Sequence, residues 1–495
     1  MKRRHFLGGS LAVAATAGLS YTRYAGAATA SDLPAVSRTG AALVLRGADV
    51  ADLRARLRGP VLLRTSEGYD AARRVWNGAF DRRPALIARC INPQDVVAAV
   101  QFADAQDLLV SVRGGGHSLP GYSACEGGLM IDLTLMGSVQ VDPATRLVRV
   151  GPGALLGAMD RETQVHGLVV PAGTVSHTGV AGLTLGGGVG RLQRKFGLTV
   201  DSLVAADVAT ADGKLVHASE QENADLFWAL RGGGGNFGVV TGFEFRAHEF
   251  GRSAIAGEFV FPIEQARGVL DAFADFCHTA SDELWMDPVL ECDAAGHRKV
   301  SFVLCHCGKP GEAEKEIAKI RKFGTVLRDN VAAKPWVVVQ SEYDADSPHG
   351  RGYYMAGGRV TELPAALLDH AIASIKLPGA ELAKISLTQH GGAVARRSAS
   401  STAYSSRSGS HNFVVRASWD DPAHAAARTA WHKEVWKEFQ PFSVGLYANL
   451  NATEANVRAR AAYGENLERL VEVKTKYDPK NLFHLNPNIV PRTPG

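Results

Sequence analysis

The 495 residues, 46% of them hydrophobic, can bury a large core and are enough for two or more domains. Fifty-four basic against fifty acidic residues leave a formal charge of +4, spread without blocks of one sign. That excludes a disordered or fibrous chain and the electrostatic footprint of a nucleic-acid binder, and it points to a small-molecule partner.

Residues 1–30 differ from the rest. MKRRHFLGG carries Arg3 and Arg4 followed by Phe6 and Leu7, then a weakly apolar run from Leu11 to Leu19 and small residues at 25–27 and 28–30. This resembles a twin-arginine export signal and implies a periplasmic or secreted protein. No later segment reaches ~18 uninterrupted apolar residues, so no membrane span is expected in the mature chain.

Asn92-Pro93-Gln94-Asp95 is a helix start: a capping asparagine, proline at the first helical position and an acid in the first turn. Leu108 to Val112 reads as a buried strand running into Arg113, Gly114, Gly115, Gly116 and His117. A Rossmann turn fails there because position 119 is Leu and Pro120-Gly121 interrupts the helix that should follow. No glycine run is closed by Gly-Lys-Ser/Thr, so a P-loop fails too. Leu129 to Leu133 and Leu147 to Val150 read as strands, and Ala154 to His166 as a helix stopped by Gly167. Asp212-Gly213 joins two strands as a hairpin. Further glycine runs at 186–188 and 232–235 suggest several loops converging on one extended ligand.

From Gly251 the glycine runs cease, and helical patterns alternate with expected strands at Lys299 to Leu304 and Trp336 to Gln340, which indicates a second, α+β domain. Cys305-His306-Cys307 reads as a strand with cysteines on one face, and no metal site is expected. Ser398 to Ser410 reads as a loop, and Asn456 to Lys476 as a helix ended by Tyr477-Asp478-Pro479.

RPALIARC (83–90), RGGGHS (113–118), GGLMIDL (127–133), GGGVG (186–190), LFWALRGGGGNFG (226–238) and YDPKNLFHLNPNI (477–489) together resemble the vanillyl-alcohol-oxidase superfamily with its PCMH-type FAD domain, and within it the berberine-bridge-enzyme-like branch. The resemblance implies an α+β fold: an FAD-binding domain over 40–250, a substrate domain with an antiparallel sheet over 251–445, and a segment 446–495 returning to the FAD domain. It implies FAD covalently held by His117, a glycine loop of Arg113, Gly114, Gly115, Gly116 and Ser118 around the pyrophosphate, and Gly173, Thr174, Gly179 and Gly182 along the isoalloxazine. Val240 falls toward the adenine half. The family's second, cysteinyl link is replaced by Val175, so attachment through His117 only is expected.

In Tyr447-Ala448-Asn449 the resemblance makes Tyr447 the catalytic base and sets Asn449 against the flavin. A phenol, with a pKa of about 10, needs a cation to act near neutrality, and Arg407 and Arg416 are the candidates. Tyr354 and His390 are expected to line the substrate cleft. The implied reaction takes hydride from a C–H bond next to a hydroxyl or amine of a sugar, alcohol or cyclic amine and passes the electrons to dioxygen, giving hydrogen peroxide. Val180 leaves dioxygen room while Ala181 replaces a frequent glycine, so a dehydrogenase with another acceptor stays open, as does a non-catalytic flavin-binding protein.

Overall fold

The computed structural model describes residues 31–450 and 459–492; the export-signal segment and the start of the helix expected from Asn456 lie outside them. Its first layer is a four-stranded sheet in the order Val61–Leu63, Leu86–Arg89, Leu129–Asp132, Val110–Arg113, whose last two pairings are parallel. All four residues of the strand Leu129–Asp132 are buried, as a parallel strand covered on both faces requires. The helix Pro93–Ala105 starts where expected, with the Asn92 side chain accepting from the Asp95 amide at 3.0 Å. It buries Val96, Ala99, Val100 and Ala103 against this sheet. Val110–Arg113 therefore delivers the first glycine run to the carboxyl end of a parallel strand, the usual place for a ligand in such sheets.

A second, five-stranded sheet runs in the order Leu215–Ser219, Leu203–Ala209, Val239–Arg246, Leu147–Val150, Val139–Asp142, all antiparallel. Its central strand is fed by the third glycine run. The C-terminal part returns to this lobe, where Leu482 and Phe483 enter the first sheet's core and Ile489 the second's. The expected long C-terminal helix is interrupted: Ala459–Tyr463 and Leu467–Tyr477 are separated by a 3-10 turn, Gly464–Asn466, in which Gly464 has φ +52°. A left-handed residue cannot continue an α-helix.

Residues 253–446 form a nine-stranded antiparallel sheet backed by helices Ala266–Cys277, Pro310–Ile320, Ala365–Ser374 and Ala425–Phe439. The expected strand at 336–340 is instead a helix, Trp336–Ser341. Its burial at Trp336, Val339 and Gln340, with Val337 and Val338 exposed, has helical spacing that a short apolar run conceals. Trp336 and Gln340 both donate to the buried Asp160 of the first lobe, at 2.9 and 3.1 Å. Cys305 and Cys307, the latter just past the end of the strand Arg298–His306, do pack on one side with Trp285 and Trp336, while His306 meets Glu316 at 3.2 Å. Among the described residues no group of histidine, cysteine and acid is placed to hold a metal ion.

The tail is fastened by a buried ion pair. Lys474 Nζ lies 2.7 Å from Asp478 and also donates to the carbonyls of Asn236 and Phe483, while Asp478 accepts from the amides of Leu482 and Phe483. Lys474→Met strands that carboxylate in the core, so a loss of about 3–5 kcal/mol in unfolding free energy is expected in urea titration. A loss below about 1 kcal/mol would show that the tail is held by its apolar contacts alone.

Candidate active site

A cavity of about 490 Å³ opens between the two lobes. Its floor is built from Gly114 to Ser123, Gly173 to Gly190 and Gly234 to Val240, its far end from Leu485 to Pro487, and its roof from the large sheet. The first two loops meet backbone to backbone: a Cβ on Gly115 would stand 2.4 Å from the Gly179 Cα. Any side chain there would push the loops apart. The amides of Gly115, Gly116, His117 and Ser118 donate to no protein acceptor among the described residues. Successive unclaimed N–H groups on a cavity rim form a nest for an anion, which fits the phosphates of a dinucleotide.

His117 stacks on Trp76, ring centroids 4.1 Å apart, and Trp76 stacks in turn on Tyr353 at 4.0 Å. Its Nε2 lies 3.2 Å from His177 Nδ1, and His349 closes the cluster from the roof side. Burial, reinforced by His177 and His349, pulls the His117 imidazole down to about 3. It is thus neutral across the physiological range, with a nitrogen lone pair in place of a second proton. The arrangement is fixed by contacts between the lobes: Trp76 Nε1 donates to Ser347 O at 2.8 Å, Asp344 accepts from Ser176, and Gln340 holds the Gly173 carbonyl at 2.9 Å.

The buried phenol of Tyr447 lines the same cavity. Its oxygen accepts from the Gly188 amide at 3.3 Å and from the Asn449 amide at 3.2 Å, and Asn449 also lies 3.2 Å from Gly182 O and 3.3 Å from Leu183 O. Burial pushes the phenol above its ordinary pKa, while Asn449, the Gly188 and Val189 amides and the charge of Arg359 pull it down. Arg359 is itself fully buried and donates to the Tyr404 hydroxyl, and the Tyr404 ring stands edge-on to Tyr447 at 6.0 Å. Burial lowers the Arg359 guanidinium to about 9, so it keeps its charge at neutral pH.

The family model described as "FAD binding domain" matches residues 84–219, and the one described as "Berberine and berberine like" matches 446–490. The chain is 30% identical over 438 residues to an FAD-linked oxidoreductase of Dictyostelium discoideum, covering 88% of this chain and 95% of the relative. It is likewise 30% identical over 455 residues to (R)-6-hydroxynicotine oxidase of Paenarthrobacter nicotinovorans, covering 88% and 97%. The crystal structure of 6-hydroxy-D-nicotine oxidase from Arthrobacter nicotinovorans superposes with a TM-score of 0.80 at 28% identity, over 88% of this chain and 98% of that one. A chitooligosaccharide oxidase superposes with a TM-score of 0.79 at 26% identity, over 90% and 100%.

The chain belongs to the berberine-bridge-like FAD oxidoreductases. FAD is the cofactor of this oxidoreductase, and its fold is that of the PCMH-type flavoproteins.

Of the residues singled out from the sequence, Gly114, Gly115, Gly116, His117, Ser118, Gly173, Thr174, Gly179, Gly182, Val240, Tyr447 and Asn449 line the oxidoreductase's cavity. Arg113, Tyr354 and His390 do not. Arg113 turns back to donate to the Ala72 carbonyl and props the glycine loop from behind. Tyr354 points to the helical side of the sheet, edge-on to His432, because strand alternation puts Met355, which lines the cavity, and Tyr353, which is buried against Trp76, on the other face. His390 is buried one layer behind the wall, with Nε2 3.4 Å from Arg359.

Arg407 is held by Asp201 at 2.8 and 3.1 Å and by Thr402, which leaves Arg359 as the cation acting on Tyr447; Arg416 lines the roof. Val175 lines the cavity, and no cysteine does among the described residues. Ala181 faces the cavity, while Val180 is packed into the core beneath it. Sequence reading missed Trp76, His177, His349, Arg359 and the polar residues of the roof.

Proposed function

We propose that this FAD-dependent oxidoreductase is an oxidase that takes hydride from a C–H bond next to a hydroxyl or amine and returns the electrons to dioxygen, with Tyr447 as base. FAD, when bound, supplies the hydride acceptor. The residues that line the cavity fit it: the Gly115 to Ser118 amides for its phosphates, His117 for a covalent link, and Gly173, Thr174, Gly179 and Gly182 for the ring side. The observation that carries the reading is that Tyr447 and His117, from opposite ends of the chain, line one cavity. The Tyr447 oxygen receives two N–H donors, which favour the phenolate, the form that accepts the substrate's proton and becomes a neutral phenol.

Single attachment through His117, export directed by residues 1–30, and lobes divided at 40–250, 251–445 and 446–495 belong to the same proposal. The test is anaerobic substrate addition followed by air: bleaching, then recovery of colour with one hydrogen peroxide per turnover. Bleaching without recovery in air would instead support a dehydrogenase, the reading favoured by the Ala181 methyl on the cavity wall.

Arg359→Met is expected to move the rising limb of the bleaching rate to higher pH. Removing the cation takes away a stabiliser of the phenolate and raises the Tyr447 pKa further, so the rate at neutral pH falls. Arg407→Lys, which keeps a charge on Asp201, should leave the limb in place. The opposite pattern would assign the activating cation to Arg407.

A further inference from the structure

The roof of the cavity is a grid set by strand register. In one row Glu291 pairs with Lys384, Lys384 with Arg416 and Arg416 with Met355; in the next, Val289 pairs with Ser386 and Ser386 with Val414. In the third, Thr388 lies between Asp287, to which it donates at 2.9 Å, and Asn412, its register partner. All of these residues line the cavity. The third row is the one that leads across the sheet, through the Asn412–Arg359 pairing, toward the Tyr447 end.

Two acceptors in this row are buried with capacity to spare. Asp287 lines the cavity and is 7% exposed, and the hydroxyls of Ser386 and Thr388 both donate to its Oδ1, so neither of them takes up Oδ2. No lysine, arginine or histidine is paired with it within 4.0 Å among the described residues. Asn412 is 3% exposed, and its side-chain oxygen has no partner among the described residues. A buried acceptor without a donor costs roughly 1–3 kcal/mol, so Asn412 Oδ1 calls for a donor from the ligand, and the Asp287 carboxyl has an oxygen left to accept another. They stand on strands two apart, about 10 Å between backbones, so a single N–H or O–H cannot serve both.

Donors face the same cavity. Trp285 Nε1, on the next residue of the same strand face, and Arg416 Nε are both buried without partners among the described residues. A hydroxyl donates and accepts at once, whereas an ammonium only donates. In the outer row Lys384 is already neutralised by Asp346 at 2.6 Å and Glu291 at 3.4 Å, so these charges do not demand a charged ligand.

We propose that Asp287 and Asn412 are specificity-determining residues that recognise a polyhydroxylated, carbohydrate-like substrate, one hydroxyl donating to each while the reacting carbon lies toward Tyr447. This rests on the reading of the cavity as the flavin and substrate site. A cyclic amine or a simple aromatic alcohol carries one donor centre and leaves one of the two acceptors bare, a situation that sites of this kind reject strongly.

The experiment is anaerobic bleaching of the flavin-loaded full chain by glucose, cellobiose, benzyl alcohol and pyrrolidine, for wild type, Asp287→Asn and Asn412→Leu. Bleaching by a sugar is expected. In both variants the half-saturating sugar concentration should rise about 10- to 100-fold, with the limiting bleaching rate changed only a few-fold. Asp287→Asn is near-isosteric, and flavin content after purification reports whether each variant folds.

Bleaching by pyrrolidine or benzyl alcohol and by neither sugar would overturn the proposal and leave the flavin site standing. Sugar half-saturation unchanged in Asp287→Asn would also overturn it. A purified wild-type chain that carries no flavin would overturn the underlying reading instead.

Discussion

Tyr447→Phe is expected to keep its full flavin content and to be bleached by substrate about 10²- to 10⁴-fold more slowly than wild type. The substitution removes one oxygen from a buried ring and leaves the ring's packing against Leu198, Val200 and Tyr404 in place. It also takes the acceptor away from the Gly188 amide and removes one of three from Asn449, whose other two are backbone carbonyls. The loss belongs in the bleaching step because the substrate's proton must leave as its hydride does. Recovery of colour in air involves no such proton and should stay within a few-fold of wild type. Bleaching within a few-fold of wild type would pass the base to another group, with Tyr404 held by Arg359 the next to examine.

What could be read from the sequence was what a short stretch of chain builds by itself. The loop from Arg113 to Ser118 is one strand end followed by glycines, and its chemistry lies in its own amides and in His117. The Asn92 cap and the Asp212-Gly213 hairpin are local in the same way, and the structure has both. The roof is different in kind. Asp287, Thr388, Asn412 and Arg359 come from four strands, and only lateral register brings them into one row.

Alternation predicts that Tyr353 and Tyr354 face opposite ways but not which of them shares the face of Met355, which lines the cavity. That is decided by Trp76, far earlier in the chain, stacking on Tyr353. The same holds for the choice of cation. Arg407, in the serine-rich loop, is nearer Tyr447 in sequence, yet Asp201 holds it, and the guanidinium left to act on Tyr447 is Arg359 near the end of the strand Gly352–Val360.

His117→Ala is expected to abolish the flavin that stays with the polypeptide through acid precipitation, which in the wild type should be complete. A covalent bond survives unfolding and a nest of amides does not, so the two kinds of hold separate under acid. The imidazole is prepared for bonding: burial keeps it neutral, Trp76 covers one face, and His177 holds Nε2, which leaves Nδ1 as the second ring nitrogen.

In native conditions the variant should still bind FAD, because the Gly115 to Ser118 amides do not depend on the side chain at position 117. It should therefore elute yellow from a sizing column and turn colourless in acid. Mass spectrometry of wild-type peptides should find flavin on the peptide containing His117 and on no cysteine peptide, since Val175 occupies the place of the second link and no cysteine lines the cavity among the described residues. Wild-type protein that releases all its flavin in acid, or a flavinylated cysteine, would each contradict attachment through His117 alone.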